Sequence, residues 1–494
     1  MRRRSGILLH PTSLPGPGAL GDIAAGYPFV DWLAAHGQSI WQILPLNPPG
    51  AGISPYTCQS SHAGNPALIS LSLLAQQTGL LTQSECEAHI TTDSIEQGIA
   101  AHYRLLSIAA TRVDKMSDQT VEAFRQWCIR NDGWLASDAL FHAISLHQRS
   151  NDWTTWPKAL MRREPSALHA AAHEFAAEVH RWKFIQWVFD EQWLALKSHA
   201  NRKGVQILGD LPIYCAHASV DVWSHQALFE LSDNGQASVV AGVPPDYFSA
   251  TGQRWGSPLY RWEMHKQDGF AWWRGRIASA LKWCDRLRID HFRAFASYWE
   301  IPQTSPDATT GRWVDGPGMP FFDAMRQDFD PLPIVVEDLG DLTEDVIELR
   351  EKLGLPGMSI LQFAFGGDAQ NVYLPHNLTR NTVVYTGTHD NNTSCGWWSE
   401  ADANQQAHFR QYFGSRSSKV HRVMIRAALG SVADLAIIPM QDVIGADADA
   451  RMNIPGRADG QWTWRFDWSQ LKRSDGQFIA RMTRLFGREP EKSE

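Results

Sequence analysis

The sequence lacks the features that define several common protein classes. Its six cysteines, spread over 494 residues, form no C-x-x-C pair, which argues against a structural zinc site and a dense disulfide scaffold. No apolar run is long enough to cross a membrane. The basic start MRRRSGILLH ends its apolar stretch at Leu9, too early for a secretory signal. We therefore expect reduced cysteines, no membrane partner and a cytoplasmic protein.

Positive charge is also scarce. The formal net charge is -8 and no long basic block occurs, which makes a groove that follows nucleic-acid phosphates implausible. A neutral ligand fits this balance better. Tryptophan is in excess, with 22 residues, many of them beside glycine and polar residues as in GQRWG and SCGWWSE. Flat aromatic faces in polar loops suit sugar rings, although part of this tryptophan is expected to anchor the core.

Eight short runs rich in Val, Ile and Leu alternate with helical stretches, which predicts βα units and a parallel sheet. The carboxyl ends of the strands form the active face of a (β/α)8 TIM barrel, so polar residues there indicate chemistry. An open doubly wound sheet is the alternative, because it also places its site at strand ends. The runs are GILLH (6–10), SIWQILPL (39–46), VQILGDLPI (205–213), LRIDHF (287–292), PIVVEDLG (333–340), MSILQFAF (358–365), VVYTGTHD (383–390) and LAIIPMQD (435–442). The polar residues in which most of them end are His10, Asp210, Asp290, Glu337, Asp390 and Gln441.

The spacing of these runs predicts a single catalytic barrel over residues 1–494 with two insertions. The interval between the second and third runs is far longer than one βα crossover needs and is helical in pattern. We assign 70–165 as a helical insertion subdomain after strand 2. Residues 214–284, rich in Gly, Pro, Tyr and Trp, are assigned as a loop-rich insertion after strand 3 that covers the active site.

Two motifs match known signatures only superficially. GPGALG at 16–21 has the G-x-G-x-x-G pattern, but five residues separate it from the strand and no acid follows the next strand to hold a ribose. A turn before a helix is the better interpretation. In HEFAAEVH, His173 and His180 lie seven positions apart, which is not the H-E-x-x-H spacing, so we expect a solvated helix face and no metal.

The run LRIDHFRAF places charged residues inside an apolar strand. Alternate residues of a strand share a face, so Arg288 and Asp290 point to one side and Ile289 points to the packing layer. Arg288 can thus keep Asp290 ionised, although a purely structural ion pair explains this pair equally well. Glu337 and Asp390, at the ends of other strands, favour a site. Three acids at one mouth repel one another, and at least one should resist ionisation.

A protonated acid beside an ionised carboxylate is what the cleavage of a glycosidic bond requires. The acid protonates the leaving oxygen, and the carboxylate receives or stabilises the oxocarbenium-like centre. A third acid can bind sugar hydroxyls more tightly as the ring flattens. Proton abstraction and metal-assisted hydrolysis also use three carboxylates, but the sequence has no His-rich ligand set to support the metal version.

A series of motifs extends almost from end to end and follows the order of the predicted strands. On these motifs the chain resembles the amylomaltases, the 4-α-glucanotransferases (disproportionating enzymes) of glycoside hydrolase family 77, which are related to the α-amylases. The motifs are GILLHPTSLPGPGALGD, WQILPLNPPGAGISPY, GDLPIYCAHASVDVW, GVPPDYFSATGQRWGSPLY, LRIDHFRAF, VEDLG, GTHDNNTSCGWW and RMNIPG.

The resemblance implies a role for each of the three acids. Asp290 would be the nucleophile of a covalent glucosyl-enzyme, and Glu337 would be the general acid and then the base. Asp390 would stabilise the transition state through the sugar hydroxyls. Retention of the α-anomer would place the carboxyl groups of Asp290 and Glu337 about 5 to 5.5 Å apart.

The resemblance also implies a set of substrate-binding residues. Arg288 would orient and charge the nucleophile, Asp210 and His389 would contact the sugar at the cleaved position, and Tyr56 would stack beneath that ring. An aromatic loop would cover the site and bind the acceptor; it comprises Tyr247, Phe248 and Trp255. The expected substrates are maltooligosaccharides and α-glucans, without cofactor, metal or nucleic acid, and the expected state is a monomer or weak homo-oligomer.

Four positions depart from the family pattern: Ala218 replaces an acid, Ala294 a glycine, Arg457 a smaller residue and Gln461 an asparagine. None of them removes a catalytic group. A hydrolase or branching enzyme with the same machinery is the nearest alternative, and a glycan-binding protein without catalysis is another. Transfer is favoured over hydrolysis because a lid that excludes water and stacks an acceptor supplies orientation that free water lacks.

Overall fold

The computed structural model describes residues 3–50, 52–88, 94–245, 249–340, 342–457 and 459–490. Within these ranges the strands, numbered in chain order, fall into two sheets. The strands are β1 Arg4–Leu8, β2 Ile40–Gln42, β3 Gln206–Leu211, β4 Val239–Val243, β5 Gln253–Pro258, β6 Arg286–Ile289, β7 Ser297–Pro302, β8 Arg312–Asp315, β9 Ile334–Val336, β10 Gly357–Ile360, β11 Thr382–Tyr385 and β12 Leu435–Pro439.

Eight of these strands form one parallel sheet, in the order β10-β11-β12-β1-β2-β3-β6-β9. Its two end strands approach each other, since the backbone N–H of Val336 donates to the carbonyl of Pro356 at 3.0 Å. The sheet therefore curves into a nearly closed (β/α)8 barrel. Each of the eight predicted runs overlaps a strand of this sheet, which confirms the barrel and excludes the open doubly wound alternative.

The barrel follows from a period-two pattern of buried residues. Ile7, Ile207 and Ile289 belong to the apolar layer between the sheet and the surrounding helices. Their sequence neighbours Leu8 and Leu208 belong to a second cluster inside the barrel. This alternation lets both faces of each strand be buried, as a parallel barrel requires.

Helices cover the outside of the barrel and fill the interval between β2 and β3. They are α1 Gly26–Ala35, α2 Leu71–Thr78, α3 Gln83–Ala88, α4 Ile95–Ala110, α5 Asp118–Gln148, α6 Lys158–Met161, α7 Pro165–Glu174, α8 Ala176–Arg202, α9 Val220–Ser224, α10 Trp262–Gln267, α11 Ala271–Trp283, α12 Gly318–Arg326, α13 Glu344–Leu353, α14 Ser394–Glu400, α15 Ala403–Phe413, α16 Val420–Gly430, α17 Met440–Ile444 and α18 Arg473–Leu485. None of these helices combines the length and the apolar character needed to cross a membrane.

The helices between β2 and β3 differ from the helical pattern of the sequence in two places. Two stretches of the pattern form one helix, and one long stretch forms two helices. The amphipathic stretches 118–132 and 138–152 belong largely to a single helix, α5. The long helix predicted from 166 to 204 is divided at Phe175, whose φ of -101° and ψ of 26° end α7 and begin α8. His173 and His180 therefore lie on different helices, both are exposed, and the expectation of a solvated face is confirmed.

Residues 214–284 contain more regular structure than a loop layer. Strands β4 and β5 pair with β7 and β8 in an antiparallel sheet of order β5-β4-β7-β8. Helix α11 lies at the end of this range and leads directly into β6. The division of the chain into one barrel with insertions at 70–165 and 214–284 stays a prediction.

The G-x-G-x-x-G match lies in a bend that ends at Gly21. The N–H of Gly21 donates to the carbonyl of Thr12 at 2.8 Å. A Cβ at Gly21 would lie 2.3 Å from the carbonyl oxygen of Pro11, so the glycine is needed for close approach of the backbone. This segment precedes α1 as a turn, in agreement with the sequence interpretation.

Candidate active site

A buried row of charge crosses strands β3 and β6. Asp210 and Arg288 are paired in register across these strands. Arg288 Nη1 lies 2.8 Å from Asp210 Oδ2 and 2.9 Å from Asp290 Oδ1. The Arg288 side chain is 4% exposed and that of Asp210 is 0% exposed, so neither charge is solvated and each depends on the other. The prediction that Arg288 and Asp290 share a face is confirmed.

Glu337 lies beside this row, directly after β9. Its Oε2 accepts a hydrogen bond from the N–H of His291 at 2.8 Å, and its Oε1 accepts from the N–H of Leu339 at 2.9 Å. His291 has a φ of 54°, a left-handed conformation that is uncommon for a non-glycine residue. The turn after β6 thus aims the N–H of His291, the residue that follows Asp290, at Glu337.

Asp390 is held by a different set of partners. Asn453 Nδ2 donates to Asp390 Oδ1 at 2.6 Å, and Arg451 Nη2 donates to the backbone carbonyl of Asp390 at 2.5 Å. His389 Nε2 lies 3.4 Å from Asp390 Oδ2. The Asp390 side chain is 43% exposed, compared with 29% for Asp290. Asp390 is therefore the more open of these two carboxylates.

The two acids on β6 and β9 titrate differently. Burial raises the pKa of Asp290 to about 6, although Arg288 lowers it. Burial raises the pKa of Glu337 to about 7, with Arg288 again opposing and the charge of Asp290 adding to the rise. Asp290 thus loses its proton at a lower pH than Glu337, in agreement with the unequal division of protons predicted from the sequence.

One side of the site is an aromatic wall. The rings of Tyr56 and His389 stack with centroids 5.2 Å apart at an angle of 14°. Trp462 contacts both rings, at 5.8 Å from each. The Tyr56 hydroxyl donates to Asp210 Oδ2 at 2.6 Å, which fixes the ring. Burial lowers the pKa of His389, so the wall presents a neutral imidazole to the site.

Trp255 on β5 approaches the site from the antiparallel sheet. Its ring is 41% exposed and makes an edge-to-face contact with His291 at 4.8 Å. Tyr214 lies 6.2 Å from it on another side. Trp255 therefore lies next to the residue that follows Asp290. Tyr247 and Phe248, the other members of the predicted aromatic loop, lie outside the described residues.

The remaining polar strand ends have local partners. His10 Nδ1 faces the backbone N–H of Leu44 at 3.2 Å, and burial lowers the pKa of His10 to about 3. Gln441 Nε2 donates to the carbonyl of Ala450 at 3.3 Å. Both residues thus support the loops at the barrel mouth. In the described part of the chain, no group of three or more His, Cys, Asp and Glu residues could hold a metal ion; the expectation of no cofactor stays a prediction.

Sequence reasoning missed several residues that shape the site. Asn453, Arg451 and Trp462 all lie in the segment after α17, and the backbone N–H groups of His291 and Leu339 hold Glu337. A signal for Arg451 and Asn453 was present, since both lie in RMNIPG, one of the motifs on which the chain resembles the family. The backbone donors have no sequence signature, because any residue except proline supplies an N–H.

The arrangement has the parts that acid-assisted displacement at a sugar carbon requires. Asp290 and Glu337 supply a carboxylate and an acid, Asp390 supplies a partly exposed hydrogen-bond acceptor, and the aromatic wall supplies a flat apolar face. Asp210 and Arg288 supply the buried charges behind them. The described members of the predicted site thus come together in the barrel mouth from six segments of the chain.

Comparisons with known proteins agree with this geometry. A family profile, glycoside hydrolase 77, described as 4-alpha-glucanotransferase, matches residues 9–471. The chain is 44% identical to a 4-alpha-glucanotransferase of Synechocystis over 99% of this chain and 98% of that protein. It is 42% identical to a 4-alpha-glucanotransferase of Thermus thermophilus, over 96% of this chain and 97% of that one.

A solved structure shows the same fold. The amylomaltase of Streptococcus agalactiae, in complex with acarbose, superimposes with a TM-score of 0.96 at 34% identity, over 99% of this chain and 100% of that chain. The profile, the relatives and the fold agree over nearly the full length. The chain belongs to the glycoside hydrolase 77 family of 4-alpha-glucanotransferases.

Proposed function

We propose that this enzyme transfers α-1,4-glucan segments between maltooligosaccharides by a retaining, two-step mechanism. In the first step an Asp290 oxygen forms a bond to the anomeric carbon while the glycosidic bond breaks, and Glu337 gives its proton to the leaving 4-oxygen. In the second step the 4-hydroxyl of an acceptor attacks the same carbon. Its proton passes to Glu337, the Asp290 ester bond breaks, and the α-anomer is retained.

The contact of Arg288 Nη1 with Asp290 Oδ1 at 2.9 Å carries this proposal. A carboxylate that is to attack carbon must be ionised and aimed, and a fixed guanidinium does both. Asp210 holds the same Nη1 at 2.8 Å, so the guanidinium cannot turn away. Among the described residues, the hydrogen-bond partners of Glu337 are two backbone N–H groups, and burial together with the charge of Asp290 raises its pKa, which suits the role of the acid.

The donor sugar is assigned to the space between the aromatic wall and the acids. Tyr56 supplies the stacking face and Asp210 and His389 contact the hydroxyls of this sugar. Asp390 binds hydroxyls whose acidity rises as the ring flattens, so its contribution is greater in the transition state than in the ground state. The partial exposure of Asp390 supports this role, because a substrate must reach it.

The acceptor is assigned to the side of Trp255. An exposed indole 4.8 Å from His291 is a suitable platform for a second sugar ring next to the acid. Tyr247 and Phe248 complete this lid in the proposal. A stacked acceptor displaces water and holds its 4-hydroxyl in place, which favours transfer over hydrolysis.

Incubation with maltotriose tests the proposal directly. Transfer yields glucose together with a series of longer oligosaccharides, whereas hydrolysis yields glucose and maltose without longer chains. Asp290→Asn should lower turnover by about 10,000-fold or more while the protein still binds maltooligosaccharide. An Asp290→Asn protein with full turnover, or a wild-type protein that makes no longer chains, would contradict the proposal.

A further inference from the structure

Residues 451–457 and 459–462 form a segment that connects the end of the barrel to the third acid, Asp390. Asn453 N–H donates to the carbonyl of His389 at 3.0 Å, while its side chain reaches Asp390 Oδ1 at 2.6 Å. Arg451 reaches the Asp390 carbonyl and also donates from Nε to the carbonyl of Asn453 at 2.8 Å. The segment therefore holds the turn at residues 389 and 390 through three separate hydrogen bonds.

The amide of Asn453 occupies one oxygen of Asp390 and leaves the other for a ligand. Oδ1 accepts from Asn453, while Oδ2 lies 3.4 Å from His389, too far for a strong hydrogen bond. An exposed aspartate without such a restraint rotates among several rotamers. Asn453 thus fixes the orientation of the carboxylate before any sugar arrives.

Gln461 holds the backbone of Ile454, the residue that follows Asn453. Its Oε1 accepts from the N–H of Ile454 at 2.6 Å, and its Nε2 donates to the carbonyl of Asp459 at 2.7 Å. This buried amide ties the two ends of the segment together. Trp462 N–H donates to the carbonyl of Met452 at 2.8 Å, so the same segment positions the tryptophan of the aromatic wall.

We infer that Asn453 is the positioning residue of Asp390, and that Gln461 holds it in place. Asn453 does not contact the reacting atoms; it acts by orienting the carboxylate that does. The inference rests on the proposed function, in which Asp390 binds the hydroxyls of the flattened donor sugar. It predicts that the loss of the Asn453 amide lowers kcat more than it raises KM, because the oriented carboxylate acts chiefly in the transition state.

Several charged or titratable groups surround Asn453 and Asp390 and contribute to the pH dependence of any activity measured there. His389 lies beside Asp390 on the same turn, and Arg451 contacts both backbones. In the described part of the chain, the other groups that interact electrostatically with Asp390, its neighbour His389 or Arg451 are His10, Tyr56, Asp210, Arg288, Asp290, Glu400 and Arg457. All of them are retained when only residue 453 is changed.

Two replacements of Asn453 separate positioning from packing. Asn453→Ala should lower kcat for maltotriose by about 100-fold with a smaller change in KM. Asn453→Asp keeps the shape of the side chain but removes the N–H donor to Asp390. While the new aspartate is ionised, two carboxylates face each other and repel. When protonated, the new carboxyl can donate to Asp390 Oδ1. The activity of Asn453→Asp relative to wild type should therefore rise as the pH is lowered, whereas that of Asn453→Ala should not.

A matched control is available in Asn371, whose Nδ2 donates to the carbonyls of Phe363 and Gly366 at 2.9 and 2.8 Å. Asn371→Asp makes the same isosteric change in another loop, and its activity relative to wild type should not rise at low pH. If Asn453→Ala fails to fold, Gln461→Ala loosens the segment without removing the amide and should lower kcat in the same direction.

The inference would be overturned if the activity of Asn453→Asp relative to wild type did not change with pH. It would also be overturned if the kcat of Asn453→Ala lay within about twofold of the wild-type value. Failure of the proposed function would be seen separately, as a wild-type protein that forms no longer chains from maltotriose. The kinetic assays and the product analysis therefore give independent answers.

Discussion

Asp290 and Glu337 are both carboxylates after neighbouring strands, and burial raises the pKa of both, but their close partners differ. Asp290 contacts a guanidinium that favours its ionised form. Glu337 accepts from two neutral N–H groups, and the charge of Asp290 opposes its ionisation. With pKa values of about 6 for Asp290 and about 7 for Glu337, Asp290 is the acid that loses its proton at the lower pH.

This order predicts a narrow, bell-shaped pH profile. Activity requires Asp290 ionised and Glu337 protonated, so kcat/KM should rise as the pH approaches 6 from below and fall as it passes 7. The two apparent values belong to the interacting pair. The measurement is kcat/KM for maltotriose from about pH 4 to about pH 9.

Arg288→Met supplies the control for this profile. Arg288 lowers the pKa of both acids. Its loss should therefore move the rising and the falling limb of the kcat/KM profile of the variant to higher pH. Limbs that stay in place in the variant would show that the guanidinium does not govern the titration.

At the scale of elements, one buried aspartate joins three helical segments. Asp190 on α8 accepts from Trp127 Nε1 on α5 at 2.7 Å and from Trp283 Nε1 at the end of α11 at 2.9 Å. Lys282 Nζ lies 2.6 Å from the same carboxylate. The Asp190 side chain is 4% exposed, so all three donors depend on it.

Asp190→Ala should therefore destabilise the fold by about 3 to 5 kcal/mol, because it leaves buried donors and a lysine without their acceptor. Urea denaturation measures the change in the free energy of unfolding. The matched control is Asp31→Ala, which removes an exposed partner of Lys203 and His199 on the same helix and should change stability far less. Equal losses in the two variants would contradict the role of Asp190.

The antiparallel sheet permits a test of the lid. Trp255→Ala should raise the ratio of hydrolysis to transfer by about 2-fold to 10-fold, which corresponds to the loss of one aromatic stacking contact. Trp313 on β8 is exposed to a similar degree, 43% against 41%, and serves as the matched control. The ratio is measured from glucose and oligosaccharide products. An unchanged ratio in Trp255→Ala would exclude this platform for the acceptor.

At the scale of the whole molecule, stability depends on buried acids outside the site as well as in it. Asp138 on α5 accepts from Trp182 Nε1 on α8 at 2.6 Å. Burial raises its pKa from 3.8 to about 7, so the folded protein holds this proton when the unfolded chain has lost it. The contribution of Asp138 to stability is complete below pH 3.8 and is lost as the pH rises through 7.

Asp138→Asn removes this titration while it keeps the size of the side chain. The free energy of unfolding of the variant relative to wild type should increase from about pH 4 to about pH 7 and then level off. Thermal or urea unfolding of both proteins at several pH values measures the difference. A difference that is constant with pH would mean that Asp138 is already ionised in the folded protein.

The sequence by itself determined the architecture and the identity of the central acids. Eight apolar runs with polar ends were enough to predict the barrel, because burial on both faces of a parallel sheet imposes continuous apolar strands. The alternation in LRID was enough to place Arg288 and Asp290 on one face, because the period of a strand is fixed at two. The motifs shared with the family then indicated the chemistry of glycosidic bond cleavage and transfer.

Only the tertiary structure decided how the acids are held. One of the two N–H groups that hold Glu337 belongs to His291, whose left-handed conformation LRIDHFRAF does not reveal. Asn453 reaches Asp390 from 63 residues away along the chain, and the antiparallel pairing of β4 and β5 with β7 and β8 joins segments of different predicted units. Contacts between distant segments depend on packing, which local pattern does not encode.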